Sequence, residues 1–237
     1  MKLALASTLL ISVIALSACS VPTAPRAVSS LDTLLPHPTG RSSAAQVQSG
    51  PGVSLGVIYS PSTQTNREYL RDYQANAGTG FGQSLLVQPI HDAYVNTSKP
   101  DMAVDWVKAS LQRQFGSVTV YPDMQSLRAA HPDVVAIVDS HSQLITSRSS
   151  DIKADVSADF YDAKLNYIGT AKGSEAKELT PVWADFKRSE EIVADINQQQ
   201  DVQVRALQKF DQSLSNLLTR ATDKVSMLDN KQAHKLY

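Results

Sequence analysis

Asp151-Ile152-Lys153-Ala154-Asp155-Val156-Ser157-Ala158-Asp159-Phe160 alternates apolar and polar residues without a break. Successive side chains of a strand point to opposite faces. Ile152, Ala154, Val156, Ala158 and Phe160 are therefore expected to meet a core, while Asp151, Lys153, Asp155, Ser157 and Asp159 face water. A sheet wetted on one side is normally antiparallel. Asp162-Ala163-Lys164-Leu165-Asn166 supplies turn chemistry before Tyr167 to Ala171, so residues 151–173 predict an antiparallel hairpin.

Upstream, Val134-Val135-Ala136-Ile137-Val138 is continuously apolar and predicts a central strand over 134–140, covered on both faces. Val53 to Tyr59 reads as a first strand closed by Ser60-Pro61, and Ser117 to Tyr121 as another. Between them, residues 65–75 read as a second strand or an ordered excursion, and 60–82 as a mobile stretch broken at Gly78-Thr79-Gly80-Phe81-Gly82. Ser84 to Val95 looks helical, with Pro89 marking a kink or a start. A helix over 100–115 presents Val104, Val107, Leu111 and Phe115 on one stripe, with Ser98 as its cap. Asp123 is expected to cap a short helix to Ala130.

Downstream, Thr180-Pro181 reads as a helix start that leads to Val182, Trp183, Phe186, Val193 and Ile196. Leu207, Phe210, Leu214, Leu217, Leu218, Ala221, Val225 and Leu228 then form the stripe of a long helix over about 201–228 that lies across the sheet. The expected fold class is α+β: a mixed or antiparallel sheet packed by helices 100–115 and 201–228.

The amino terminus carries an address. Lys2 followed by the apolar run Leu3 to Leu16 and small residues has the anatomy of a secretory signal and is too short to span a bilayer. Leu16-Ser17-Ala18-Cys19 resembles the bacterial lipobox. That resemblance implies cleavage before Cys19, acyl chains on its thiol and amino group, and stable membrane anchoring. Ser20, where inner-membrane retention would want Asp, implies the outer membrane, with the periplasmic face as the expected side. The expected organisation is a signal peptide over 1–18, a lipidated tether over 19–50 and one domain over 51–237. Pro22, Pro25, Pro36 and Pro38 lie in the tether among Ser, Thr, Ala and Gln. As a free coil of about 30 residues it would reach roughly 30 Å. Leu31, Leu34 and Leu35 form an apolar blip within it.

Cys19 is the only cysteine, so acylation leaves no thiol to pair, and the fold rests on its core. The formal net charge of −1 does not indicate a nucleic-acid partner.

The order of elements, carried by Val53–Tyr59, Met102–Phe115, Val134–Val138, Ile152–Ala171 and Leu207–Leu228, resembles the amino-terminal domain of the Tol-system propeller protein. Small lipoproteins of the curli-secretion and YajG-like families share that arrangement. The chain departs from it in a longer stretch at 60–98 and in lacking a channel-type transmembrane hairpin. The resemblance implies an accessory in envelope assembly or secretion that acts by protein contact, without catalysis or cofactor, and can form homo-oligomers. Asp155 and Asp159 on the hairpin, and Tyr69 and Tyr73 in the excursion, are the expected partner surface. The alternative is a module that binds peptidoglycan, polysaccharide or lipid.

Residue types suited to chemistry are present in weak arrangements. Asp139-Ser140-His141 holds the members of a hydrolytic triad, but in an extended segment Ser140 faces away from the other two. Asp155 and Asp159, with Glu175, could pair as glycosidase carboxylates. Four residues along a strand, however, separate the first two by roughly 13 Å. The glycines at 78–82 lack the Lys-Ser/Thr ending of a phosphate loop. His37, His91, His131, His141 and His234 show no zinc spacing. Tyr59, Tyr69, Tyr73 and Tyr94 could line a groove for a glycan or peptide, or pack at its rim.

Overall fold

A computed structural model describes residues 24–25, 47–76, 87–146, 149–180, 182 and 187–233, with side chains to residue 219. The lipobox, the glycine run at 78–82, Trp183, Phe186, Val225, Leu228, His37 and His234 lie outside the described residues or side chains.

The fold is α+β. Five strands, β1 (Gly50–Tyr59), β2 (Phe115–Val120), β3 (Val134–Gln143), β4 (Asp151–Asp162) and β5 (Tyr167–Glu178), form one sheet in the order β2-β1-β3-β4-β5. β1 runs parallel to both β2 and β3, and β3, β4 and β5 are antiparallel. The predicted hairpin is therefore present and extends five residues further than read, to Glu178, by continuous pairing with β4. Asp162 closes its turn by accepting from the backbone N–H groups of Lys164 and Asn166, while Leu165 takes a left-handed conformation (φ 63°).

Among the described residues five helices accompany the sheet: α1 (Pro61–Ala75), α2 (Gln88–Thr97), α3 (Met102–Gln112), α4 (Met124–Ala130) and α5 (Ser189–Ala233). Residues 61–75 are thus a helix, not a strand or a mobile excursion. Ser60 caps it by accepting from Thr63 N at 3.0 Å, and Pro61 starts it with a preset φ. Pro89 likewise marks a start, that of α2. Ser98 does not cap α3. Its hydroxyl turns back to Tyr94 O at 2.7 Å and finishes α2. Asp123 caps α4 as expected, accepting from Ser126 N at 2.7 Å.

The helix start expected at Thr180-Pro181 lies in part outside the described residues, and the long helix, expected over about 201–228, spans Ser189–Ala233. Val182, buried at 1% exposure, lies before it. The start is set by Glu190 and Glu191, which complement the positive helix end. Glu191 also accepts from Arg188 N at 3.0 Å, as a capping-box acid does. At 45 residues α5 is roughly 67 Å long.

Three apolar clusters hold the body together. The first lies under α3 and the middle of α5, where Val107, Leu111, Leu207, Phe210 and Leu214 meet Leu55, Val57, Ala136, Val156 and Phe160. A second joins α1, α2 and the first half of α5 around Tyr73, Tyr94, Ile152 and Ile196. On the opposite sheet face, a third and smaller cluster gathers Ile58, Leu127, Val135, Ile137 and Tyr161 beneath α4. α5 approaches β5 so closely that a Cβ on Gly173 would lie 1.9 Å from Ala206 O. Among the described residues no helix is long and apolar enough to cross a membrane.

Candidate functional site

β3, β4 and β5 bring one set of polar side chains onto the sheet face opposite α5. The register aligns Ile137, Asp159 and Thr170 in one cross-strand row, and His141, Asp155 and Ser174 in another. In the second row Asp155 accepts from Ser174 Oγ at 2.6 Å and pairs with Lys153 Nζ at 2.8 Å. His141 is buried to 7% exposure, and its Nε2 lies 2.6 Å from the carbonyl oxygen of Pro25.

The face is wet only in part. Asp155 is half-buried and open to solvent, as expected. Asp159 is 1% exposed, which corrects its reading as a surface residue. The period-two pattern holds through Ser157. Beyond it the third cluster covers the outward face, and Asp159 accepts from Thr170 Oγ1 beneath that cover.

Tyr69 and Tyr73 are also buried, at 5% and 4% exposure, so neither belongs to an exposed partner surface. β1 pairs with β3 only as far as Val138, and the chain then turns into α1, which runs along the vacated edge of β3. Three side chains of α1 accept from alternate N–H groups of that edge. Thr63 Oγ1 takes Ser140 N (2.9 Å), Asn66 Oδ1 takes Ser142 N (2.9 Å) and Tyr69 Oη takes Leu144 N (3.2 Å). Three helical residues advance about 4.5 Å and two strand residues about 6.7 Å, so the helix falls behind at each step. The lengthening series Thr, Asn, Tyr makes up the deficit. The result is an edge strand covered by side chains, closed to further pairing.

Tyr73 Oη donates to Ile145 O at 2.7 Å and lies 3.2 Å from Gln199 Oε1. Gln199, wholly buried on α5, accepts from Ile145 N at 2.7 Å and donates to Thr97 Oγ1 at 2.9 Å, so one amide ties α5 to β3 and α2. Burial pushes the Tyr69 phenol up to about 12. It holds that of Tyr73 well above the usual value, with Tyr94 and Tyr69 adding to the effect. Tyr94 packs on Tyr73 with ring centroids 5.9 Å apart. These tyrosines are core, not the lining of a groove.

The chemical constellations come apart in space. β3 puts Asp139 and His141 on one face and Ser140 on the other, where Thr63 takes its N–H. Asp139 accepts from Ser60 Oγ. Glu175 faces away from Asp155 and is held below the ordinary carboxylate range by its bond with Lys209 of α5 at 2.6 Å. No group of three or more His, Cys, Asp or Glu side chains that could hold a metal ion occurs among the described residues.

Two concavities adjoin α5. The one between α3, α5 and the sheet, lined by Met102, Ser140, Ala206 and Leu207, has about 10 Å³ and admits no more than a water. The other, between α5 and β5, is an open groove of about 320 Å³ lined by Thr170, Lys209, Gln212, Ser213, Asn216 and Leu217. Sequence reading missed this groove, because its residues come from a strand and a helix whose relative placement no local pattern fixes.

A scan of known protein families finds no match to the chain, and no curated protein matches it. Solved structures that resemble it distantly include two PelC dodecamers. A PelC dodecamer from Paraburkholderia phytofirmans has 12% identity over 65% of this chain and 89% of that one, with a TM-score of 0.28. The dodecamer of a PelC point variant from the same organism has 14% identity over 65% and 91%, with a TM-score of 0.30. Likeness at this level says nothing about what the chain binds.

Proposed function

We propose that this chain is a lipid-anchored accessory of the bacterial envelope, held at the periplasmic face of the outer membrane through Cys19 and acting by protein contact without catalysis. The observation that carries the reading is Leu16-Ser17-Ala18-Cys19 at the end of a signal-like run, followed by Ser20. The separation of Ser140 from His141, and of Glu175 from Asp155, supports a role in binding over one in hydrolysis. The partner surface, moved from the expected set, is the wet part of the sheet face: Lys153, Asp155, Ser157, Lys172 and Ser174, all at least partly exposed. Its mixed charge suits a protein partner and not a nucleic acid.

Crosslinking in intact envelopes followed by pull-down tests this. One defined envelope protein, or a second copy of the chain, is the expected capture, and Asp155→Lys abolishes it. Recovery of cell-wall fragments alone overturns the reading. A second reading, a polysaccharide-binding module, is favoured by the groove between α5 and β5, whose Gln212, Asn216 and Ser213 offer amide and hydroxyl groups at an open surface.

A further inference from the structure

We propose that Ala24 and Pro25 form a strap seated on the body at His141, so that the membrane anchor reaches the domain through six residues and not through a free tether. The inference rests on the lipid-anchor reading for its membrane end only.

Both ends of the stretch preceding β1 touch the body. Ala24 packs against the apolar cluster around Tyr73 and Ile196, and Val47, 2% exposed, lies in the cluster under α3 and α5. The Pro25 carbonyl can only accept, so the 2.6 Å contact fixes the proton on His141 Nε2. His141 Nδ1 has no partner among the described residues, which leaves the Pro25 bond as the one that satisfies this buried ring.

The consequence is geometric. Six residues span at most about 20 Å, whereas the whole stretch to β1, fully drawn out, spans about 100 Å. A seated strap therefore holds the His141 end of β3 and the start of β4 near the lipid headgroups. The chain between the strap and β1 then bears no load from the anchor.

The placement of an insertion separates the two cases. The full-length acylated protein is incorporated into vesicles of phosphatidylethanolamine and phosphatidylglycerol that carry a headgroup acceptor dye. A donor dye sits on a Lys153→Cys thiol, and energy transfer reports its height above the bilayer. Twenty Gly/Ser residues inserted after Ser20 raise that height by roughly 20 Å. The same insertion after Ser43 leaves it unchanged. Equal shifts from the two insertions, or none from either, overturn the strap.

Intact mass and vesicle flotation of the same samples report acylation, so failure of the anchor reading is seen separately. A second measurement needs no lipid. Trypsin cleavage after Arg26, the residue next to Pro25, is expected to be at least ten-fold faster in His141→Ala and in Ala24→Asp than in the parent protein. His141→Gln, which keeps an N–H donor, restores part of the protection. Equal cleavage rates in variants that retain the parent's thermal transition overturn the strap whether or not the chain is acylated.

Discussion

Tyr69 and Tyr73 link burial to pH in a definite direction. Folding raises their phenol pKa from about 10, to about 12 for Tyr69 and well above the ordinary value for Tyr73, by removing the phenolate from water. A group whose pKa rises on folding contributes fully below its unfolded value and loses that contribution as pH rises through the folded one. Stability is therefore expected to fall from about pH 10 to pH 12, by about 1.4 kcal/mol per pH unit from Tyr69, with Tyr73 acting in the same direction. Urea unfolding across pH 8–12 measures it, and Tyr69→Phe reduces the slope. Gln199→Leu leaves Ile145 N and Thr97 Oγ1 without their buried partner, at an expected cost of about 2–4 kcal/mol in the same assay. The sequence displayed these tyrosines but not their role. Their partners lie 72 or more positions away, just past the end of β3 and on α5, beyond any local period. Asp159 misled for a related reason. Alternation names the face a residue points to, and it cannot tell that α4 covers part of that face.

Among the elements, α1 was the hardest to read and has the most specific task. Its accepting side chains are themselves polar, so its buried stripe of Thr63, Asn66, Tyr69 and Tyr73 carries little apolar signal. The legible cue was at its start, where Ser60-Pro61 pairs a capping hydroxyl with a preset first turn. α5 is longer than its apolar stripe shows, since its start at Ser189 is marked by the acids Glu190 and Glu191 and not by an apolar period. The hairpin and central strand were plain in the sequence because their packing is written at period two or in an unbroken apolar run. Asn66→Ala should cost about 1–3 kcal/mol by exposing the buried Ser142 N–H, which thermal unfolding would register. Gly173→Ala drives a methyl into the backbone of α5 at Ala206 and should cost about 1–3 kcal/mol or more, read as a lower denaturant midpoint with an unchanged slope.

At the scale of the molecule, a mixed sheet backed by a long helix carries a half-wet polar face, and its amino-terminal approach is pinned at His141. Two acyl chains or more at the first mature residue would make membrane attachment stable, and they would give the wet face its proposed setting at the envelope. The proposed partner and the orientation at the membrane depend on that modification. The intact mass of the protein isolated from cell membranes tests it most directly. The expected result is a chain beginning at Cys19, heavier than residues 19–237 by a thioether-linked diacylglyceryl group and an amide-linked fatty acid. A mass equal to the unmodified chain from Met1, or from any residue with the Cys19 thiol free, would contradict it.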